Sequence, residues 1–241
     1  MAHVSAIFAG TSQVLGFAVL TPEYEIVLAL VDFPSLTAEE LFTRSRLSRA
    51  GFFNTLDRLK AWNIVVADTS QDDRRCRFYR LNGELRGIIL YRLQKYRADF
   101  QEYVNGNIDS RDFVTTELTS KRKKGLDYFT TQFKIVLYLY LIRDLPSSVL
   151  RSYIDVSETK FRSTLRHLLD VEKVTLAPNH GDRRIKRYDI SRPVRSAVEE
   201  LHAELFAWTG DHETDRGLPI AQLDPGCLPA VKQVAGPLGS P

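Results

Sequence analysis

The sequence predicts a mainly α chain with small β elements (α+β), built from one module used twice. Three observations carry that expectation. Sliding the 241-residue sequence by 109 positions lays residues 24–82 over 133–191 without a gap. Each copy holds three helical segments followed by two β-type runs. Each copy is then trailed by a further capped, amphipathic stretch. Two copies predict two domains, not a solenoid array.

The repeat is dense at buried-type positions. "YEIVLAL" falls on "FKIVLYL", and "LSRAGFFNTLDRL" falls on "VSETKFRSTLRHL", pairing Phe52 with Phe161, Leu56 with Leu165 and Leu59 with Leu168. Asp73, Arg74, Arg75 and Tyr79 land on Asp182, Arg183, Arg184 and Tyr188. The first helix opens with Thr21 as N-cap and Pro22 in the first helical position. The second starts at Thr37, where "TAEE" forms a capping box through Glu40. The third starts at Ser48, with Leu47 and Phe52 spaced as a hydrophobic staple, repeated by Val156 and Phe161. Its apolar stripe of Phe52, Leu56 and Leu59 leaves Arg49, Ala50, Phe53, Asn54 and Asp57 on the other face. "NIVVADTSQDDRRCRFYRL" then gives two strands joined by a polar turn, with Tyr79 and Leu81 sharing one face, as do Tyr188 and Ile190.

The trailing segments are Asn82-capped "GELRGIILYRLQKYRADFQEYV", with Leu85, Ile89, Tyr96 and Phe100 on one stripe, and Ser191-capped "RPVRSAVEELHAELFAW", with Val194, Val198, Leu201 and Leu205 on another. The expected organisation is a first domain over 1–105, a connector over 106–125, a second domain over 126–208 and a disordered Gly/Pro-rich tail over 209–241. The apolar opening "MAHVSAIFAGTSQVLGFAVL" has no basic n-region, and Gly, Thr, Ser and Gln interrupt it. It is expected to pack on the protein, with no membrane role.

Composition narrows the function. A net charge of +3 and 26% charged residues permit a nucleic-acid partner without demanding one. Residues 133–191 carry eleven Lys/Arg against seven Asp/Glu, and 24–82 carry nine against eight. The second copy is therefore expected to contribute more of any phosphate-dependent affinity. Cys76 and Cys227 give no disulfide or zinc framework, which suits a reducing cytosol. The five histidines lack metal-ligand spacing, so no metal or cofactor is expected. No nucleophile triad context, Gly-rich phosphate loop or convergent carboxylate pair is present, and no enzyme activity is expected.

Three helices followed by a basic hairpin is the winged helix, a helix-turn-helix with a β wing, whose third helix enters the major groove. The expected DNA-binding residues in the first copy are Ser48, Arg49, Phe53 and Asn54 on the third helix, with Arg74, Arg75 and Arg77 on the wing. In the second copy they are Ser157, Thr159, Arg162, Ser163 and Arg166, with wing residues Arg183, Arg184 and Lys186. Arg binds guanine O6 and N7, and Asn pairs with adenine N6 and N7. Wing arginines suit the backbone or the negative minor groove.

The run "LSRAGFFNTLDRLKAWNIVVADTSQDDRRCRFYRL" resembles the core of the MarR family of bacterial transcription regulators. There a capped recognition helix ending in a D-R-L-like turn leads into a wing bearing D-R-R. The second copy keeps "DRR", Tyr188 and Ile190, but has Arg166 and His167 where the first has Asp57 and Arg58. The resemblance implies winged-helix dimers that read a pseudo-palindromic operator and are often released by small ligands. Ordinary members carry one winged helix per chain. Two in tandem favour a monomeric pseudo-dimer, a single chain with a pseudo-twofold whose central platform is built from the trailing helices and the segments leading into each module; the alternative is that each trailing stripe covers only its own domain. Its partner would be double-stranded DNA, with an unidentified small-molecule effector, in a bacterial cytoplasm and nucleoid. Repression and activation both stay open. So do two other uses of such tandem modules, a plasmid or phage replication initiator and a structural partner in a chromosome-organising complex.

Overall fold

A computed structural model describes residues 3–69, 77–83, 85–107, 127–177 and 186–212, the side chains of 209–212 excepted. The described residues are mainly helical, with two small antiparallel sheets. The first unit runs α1 (Val4–Leu15), α2 (Pro22–Asp32), β1 (Leu36–Thr37), α3 (Ala38–Arg44), α4 (Arg49–Ala61), β2 (Val65–Thr69), β3 (Arg77–Leu81) and α5 (Leu85–Val104). The second runs α6 (Thr131–Leu141), β4 (Leu145–Pro146), α7 (Ser147–Tyr153), α8 (Glu158–Asp170), β5 (Val174–Leu176), β6 (Arg187–Ile190) and α9 (Arg192–His212).

The 109-residue offset holds through the backbone. The sheets have orders β1-β3-β2 and β4-β6-β5. Leu36 pairs with Tyr79 as Leu145 pairs with Tyr188, and Val65 pairs with Leu81 as Val174 pairs with Ile190. Both third helices end in the same six-to-one closure, with Ile64 N–H bonding Leu59 O and Lys173 N–H bonding Leu168 O, each 2.9 Å. The residue in the left-handed conformation is Asn63 (φ 56°) in one and Glu172 (φ 54°) in the other. Asn tolerates that region; Glu incurs Cβ strain there.

The Thr21, Thr37 and Ser48 caps form as the sequence predicts, whereas the Asn82 side chain, expected to cap α5, donates to Asn63 O at 2.9 Å and α5 begins at Leu85. Thr37 and Glu40 form a reciprocal box, with Thr37 N–H to Glu40 Oε2 at 2.7 Å and Glu40 N–H to Thr37 Oγ1 at 3.3 Å. Helix α1 is capped from a distance. Its N-cap His3 makes no side-chain cap hydrogen bond, and the Asp32 carboxylate at the end of α2 accepts from Val4 N–H (3.0 Å), Ser5 N–H (2.9 Å) and Ser5 Oγ (2.5 Å). A carboxylate there also complements the α1 dipole.

The two units meet in one hydrophobic core. Phe52, Leu56 and Leu59 in one, and Phe161, Leu165 and Leu168 in the other, are buried as the stripes require. Tyr79, Leu81, Tyr188 and Ile190 are buried on the inner faces of their strands. Helix α1 packs along α9, and α5 touches both α9 and α2. The expected α9 stripe is buried, joined by Ala197, His202 and Trp208. On α5 only Leu85 and Ile89 are buried, while Tyr96 and Phe100 are half-buried against His202 of α9.

The crossing between units is symmetric. Leu20 and Phe129, themselves 109 residues apart, form an isolated antiparallel bridge. Thr21 N–H bonds Tyr128 O (3.0 Å), and Thr130 N–H bonds Val19 O (2.9 Å). Thr21 Oγ1 donates to Asp127 O (2.5 Å), and Thr130 Oγ1 donates to Ala18 O (2.6 Å). The same hydroxyls accept from Tyr24 N–H and Phe133 N–H to cap α2 and α6. Exchanging every residue with its 109-offset mate leaves this pattern unchanged, as a local twofold axis through the bridge requires.

Three features differ from expectation. Strands β1 and β4, two residues each, complete sheets of which the sequence shows only a hairpin. The opening segment is packed as expected, but as a full helix. Helix α9 continues to His212, four residues past the boundary set at 208, because Gly210 does not stop it.

Candidate nucleic-acid interface

The expected site residues divide into those on helices α4 and α8 and those on the hairpins. Arg74, Arg75, Arg183 and Arg184, with Asp73, Asp182 and Cys76, lie outside the described residues. Arg77 opens β3 and Lys186 precedes β6, both exposed.

Ser48 and Ser157 start the two helices alike. Each has extended backbone (ψ 154° and 150°), and each Oγ accepts from the amide three residues on, Gly51 at 3.2 Å and Lys160 at 3.3 Å. The caps fix where each helix begins. The buried stripe then fixes which face looks outward. On α4 that face presents Arg49, Ala50, Phe53, Asn54 and Asp57, all exposed. On α8 it presents Glu158, Thr159, Arg162, Ser163 and Arg166, all exposed. Every helix residue expected in the site therefore reaches solvent on one side of its helix.

The two faces differ in chemistry. The Phe53 ring is 41% exposed and abuts buried Phe52 edge-on, centroids 5.2 Å apart. The Arg49 guanidinium lies over it at 6.0 Å. Asp57 is engaged by Lys60 at 2.6 Å, and Arg58 by Glu23 of α2 at 2.6 Å. On α8, Glu158 clasps Arg162 (2.5 Å) and reaches Arg151 of α7 (3.3 Å). Hydrogen bonding from Arg162, then the charges and hydrogen bond of Arg151, hold the Glu158 carboxyl below the usual range and keep it ionised. Ser163 Oγ donates to Lys160 O. Arg166 forms no ion pair with any described residue.

Between the crossing and α8 lies an open cleft of about 490 Å³, lined by Thr21, Asp127, Thr130, Gln132, Lys160 and His167 among others. Gln132 and His167 stand at the positions of Glu23 and Arg58, so the first unit has an ion pair where the second has this cleft.

His202 is a residue the sequence reading passes over. It is buried on α9, stacked on Phe100 (centroids 3.7 Å, 11° between planes), with its Nε2 2.8 Å from Tyr96 Oη. Burial pushes the imidazole down to about 3, opposed in part by the Val198 backbone, so the ring is neutral. Its place on the apolar stripe of α9 is the signal that could have found it.

Among the described residues no helix is long and apolar enough to cross a membrane. Neither a protein-family model nor a curated protein matches this chain.

Proposed function

We propose that the two units are winged helix-turn-helix modules forming a single-chain pseudo-dimer that binds double-stranded DNA sequence-specifically and regulates transcription. The observation that carries this reading is the symmetric crossing at Leu20 and Phe129. It relates two units of identical strand order, each of which turns the polar face of a capped third helix to solvent. Under a twofold, α4 and α8 would enter successive major grooves on one side of a duplex, about 34–36 Å apart. Their serine-capped N-termini would face phosphate, and the Arg-rich hairpins would follow the backbone or minor groove. A twofold also favours an inverted repeat over the direct repeats of a replication origin, and a DNA-free structural role would leave the basic hairpins without a counterpart.

The test is substitution of Arg74, Arg75, Arg183 and Arg184 with Ala. Duplex affinity should fall, and the slope of log K against log salt should flatten by roughly 0.9 for each phosphate no longer neutralised. Unchanged affinity and slope would remove the hairpins from the mechanism.

A further inference from the structure

We infer that the two heads read chemically different half-sites, α4 an A·T half and α8 a guanine-bearing half. This rests on the DNA-binding reading above and adds to it the composition of the target. The argument is positional. With the 109 offset, Arg49 matches Glu158, Ala50 matches Thr159, Phe53 matches Arg162, Asn54 matches Ser163 and Asp57 matches Arg166.

On α4, the Arg49 guanidinium lies over the Phe53 ring at 6.0 Å instead of standing free, and Ala50 and Phe53 offer a methyl and a ring. In the major groove their complement is the thymine methyl. The exposed Phe53 ring packs edge-on against buried Phe52. Asn54 makes no side-chain hydrogen bond with a described residue, leaving its amide available for adenine N6 and N7. Asp57 sits on the same face, but Lys60 engages its carboxylate at 2.6 Å, which leaves Asn54 as the polar reader of this head.

On α8 the sign at that last position is reversed. Arg166 has no ion-pair partner among the described residues and presents a full guanidinium fork, the usual reader of guanine. Arg162 is held along the helix by Glu158 and has less freedom to reach bases. Arg166 is therefore the specificity-determining residue of the second head, and Asn54 with Phe53 that of the first.

The full chain should be enriched on a library of random duplexes and the bound sequences read. The expected motif has two unequal halves about one helical turn apart, one A·T-rich and one with guanine at a fixed position. Arg166→Ala should lower discrimination for that guanine roughly 5- to 150-fold, the span of one bidentate base pairing, and leave the other half unchanged. Asn54→Ala should relax only the A·T half. Asp57→Arg, a surface change that adds a guanidinium, should recruit guanine into the A·T half. An enriched motif with two equal halves, or Arg166→Ala acting on both halves or neither, would overturn this inference while leaving DNA recognition intact. Failure to enrich any sequence would overturn the DNA-binding reading itself.

Discussion

Helices α4 and α8 share their cap, length, closure and buried stripe, yet differ at nearly every outward position. The buried positions are held alike because both must fill the same space against the same sheet. The outward positions answer to solvent or to a partner, and there Asp57 stands against Arg166 and Phe53 against Arg162. Divergence confined to one face indicates that the fold is a shared frame and the face is what distinguishes the two units. The trailing helices differ in the opposite way. There an inward position has changed, with His202 on α9 where α5 has Leu93.

The largest effect expected comes from that inward difference. The His202 imidazole is depressed in the folded chain, so between pH about 3 and 6.5 the unfolded chain binds the extra proton. Stability is therefore fully present above pH 6.5 and falls as pH drops below it, by on the order of a few kcal/mol at the acid end. His202→Leu, which installs the α5 residue, should flatten that part of the pH dependence in denaturant titrations. An unchanged difference between pH 7 and pH 4 would contradict the buried neutral ring.

The crossing should respond equally from both sides. Thr21→Val and Thr130→Val each remove a helix cap and a cross-unit hydrogen bond, and each should cost about 1–2 kcal/mol. Unequal effects would show that the symmetry of the bridge is not shared by its energetics. The smallest effect lies at the left-handed positions. Glu172→Asn should stabilise by a few tenths of a kcal/mol up to about 1, and Asn63→Glu should destabilise by a similar amount.

Much of the frame is legible in the chain itself. The N-cap threonines and serines, the Thr37 box and the alternation at Tyr79 and Leu81 are local signals, and the 109 offset transfers most of them to the second unit. What stays hidden depends on distant partners. Helix α1 has no cap of its own and borrows Asp32, 28 residues away. Strands β1 and β4 are too short to show a period of two. The Leu20–Phe129 bridge joins segments about a hundred residues apart, which no local pattern reveals. Of the site, the solvent-facing residues of α4 and α8 follow from the buried stripe. The Glu158 clasp on Arg162 is visible as an i, i+4 pair. The Arg166 contrast with Asp57 needs only the alignment of the two copies.

The claim that the units act as paired reading heads is tested most directly by hydroxyl-radical footprinting of the full chain on its selected duplex. Two protected patches centred about one helical turn apart on the same face of the DNA are predicted. Protection of a single short half-site would contradict it.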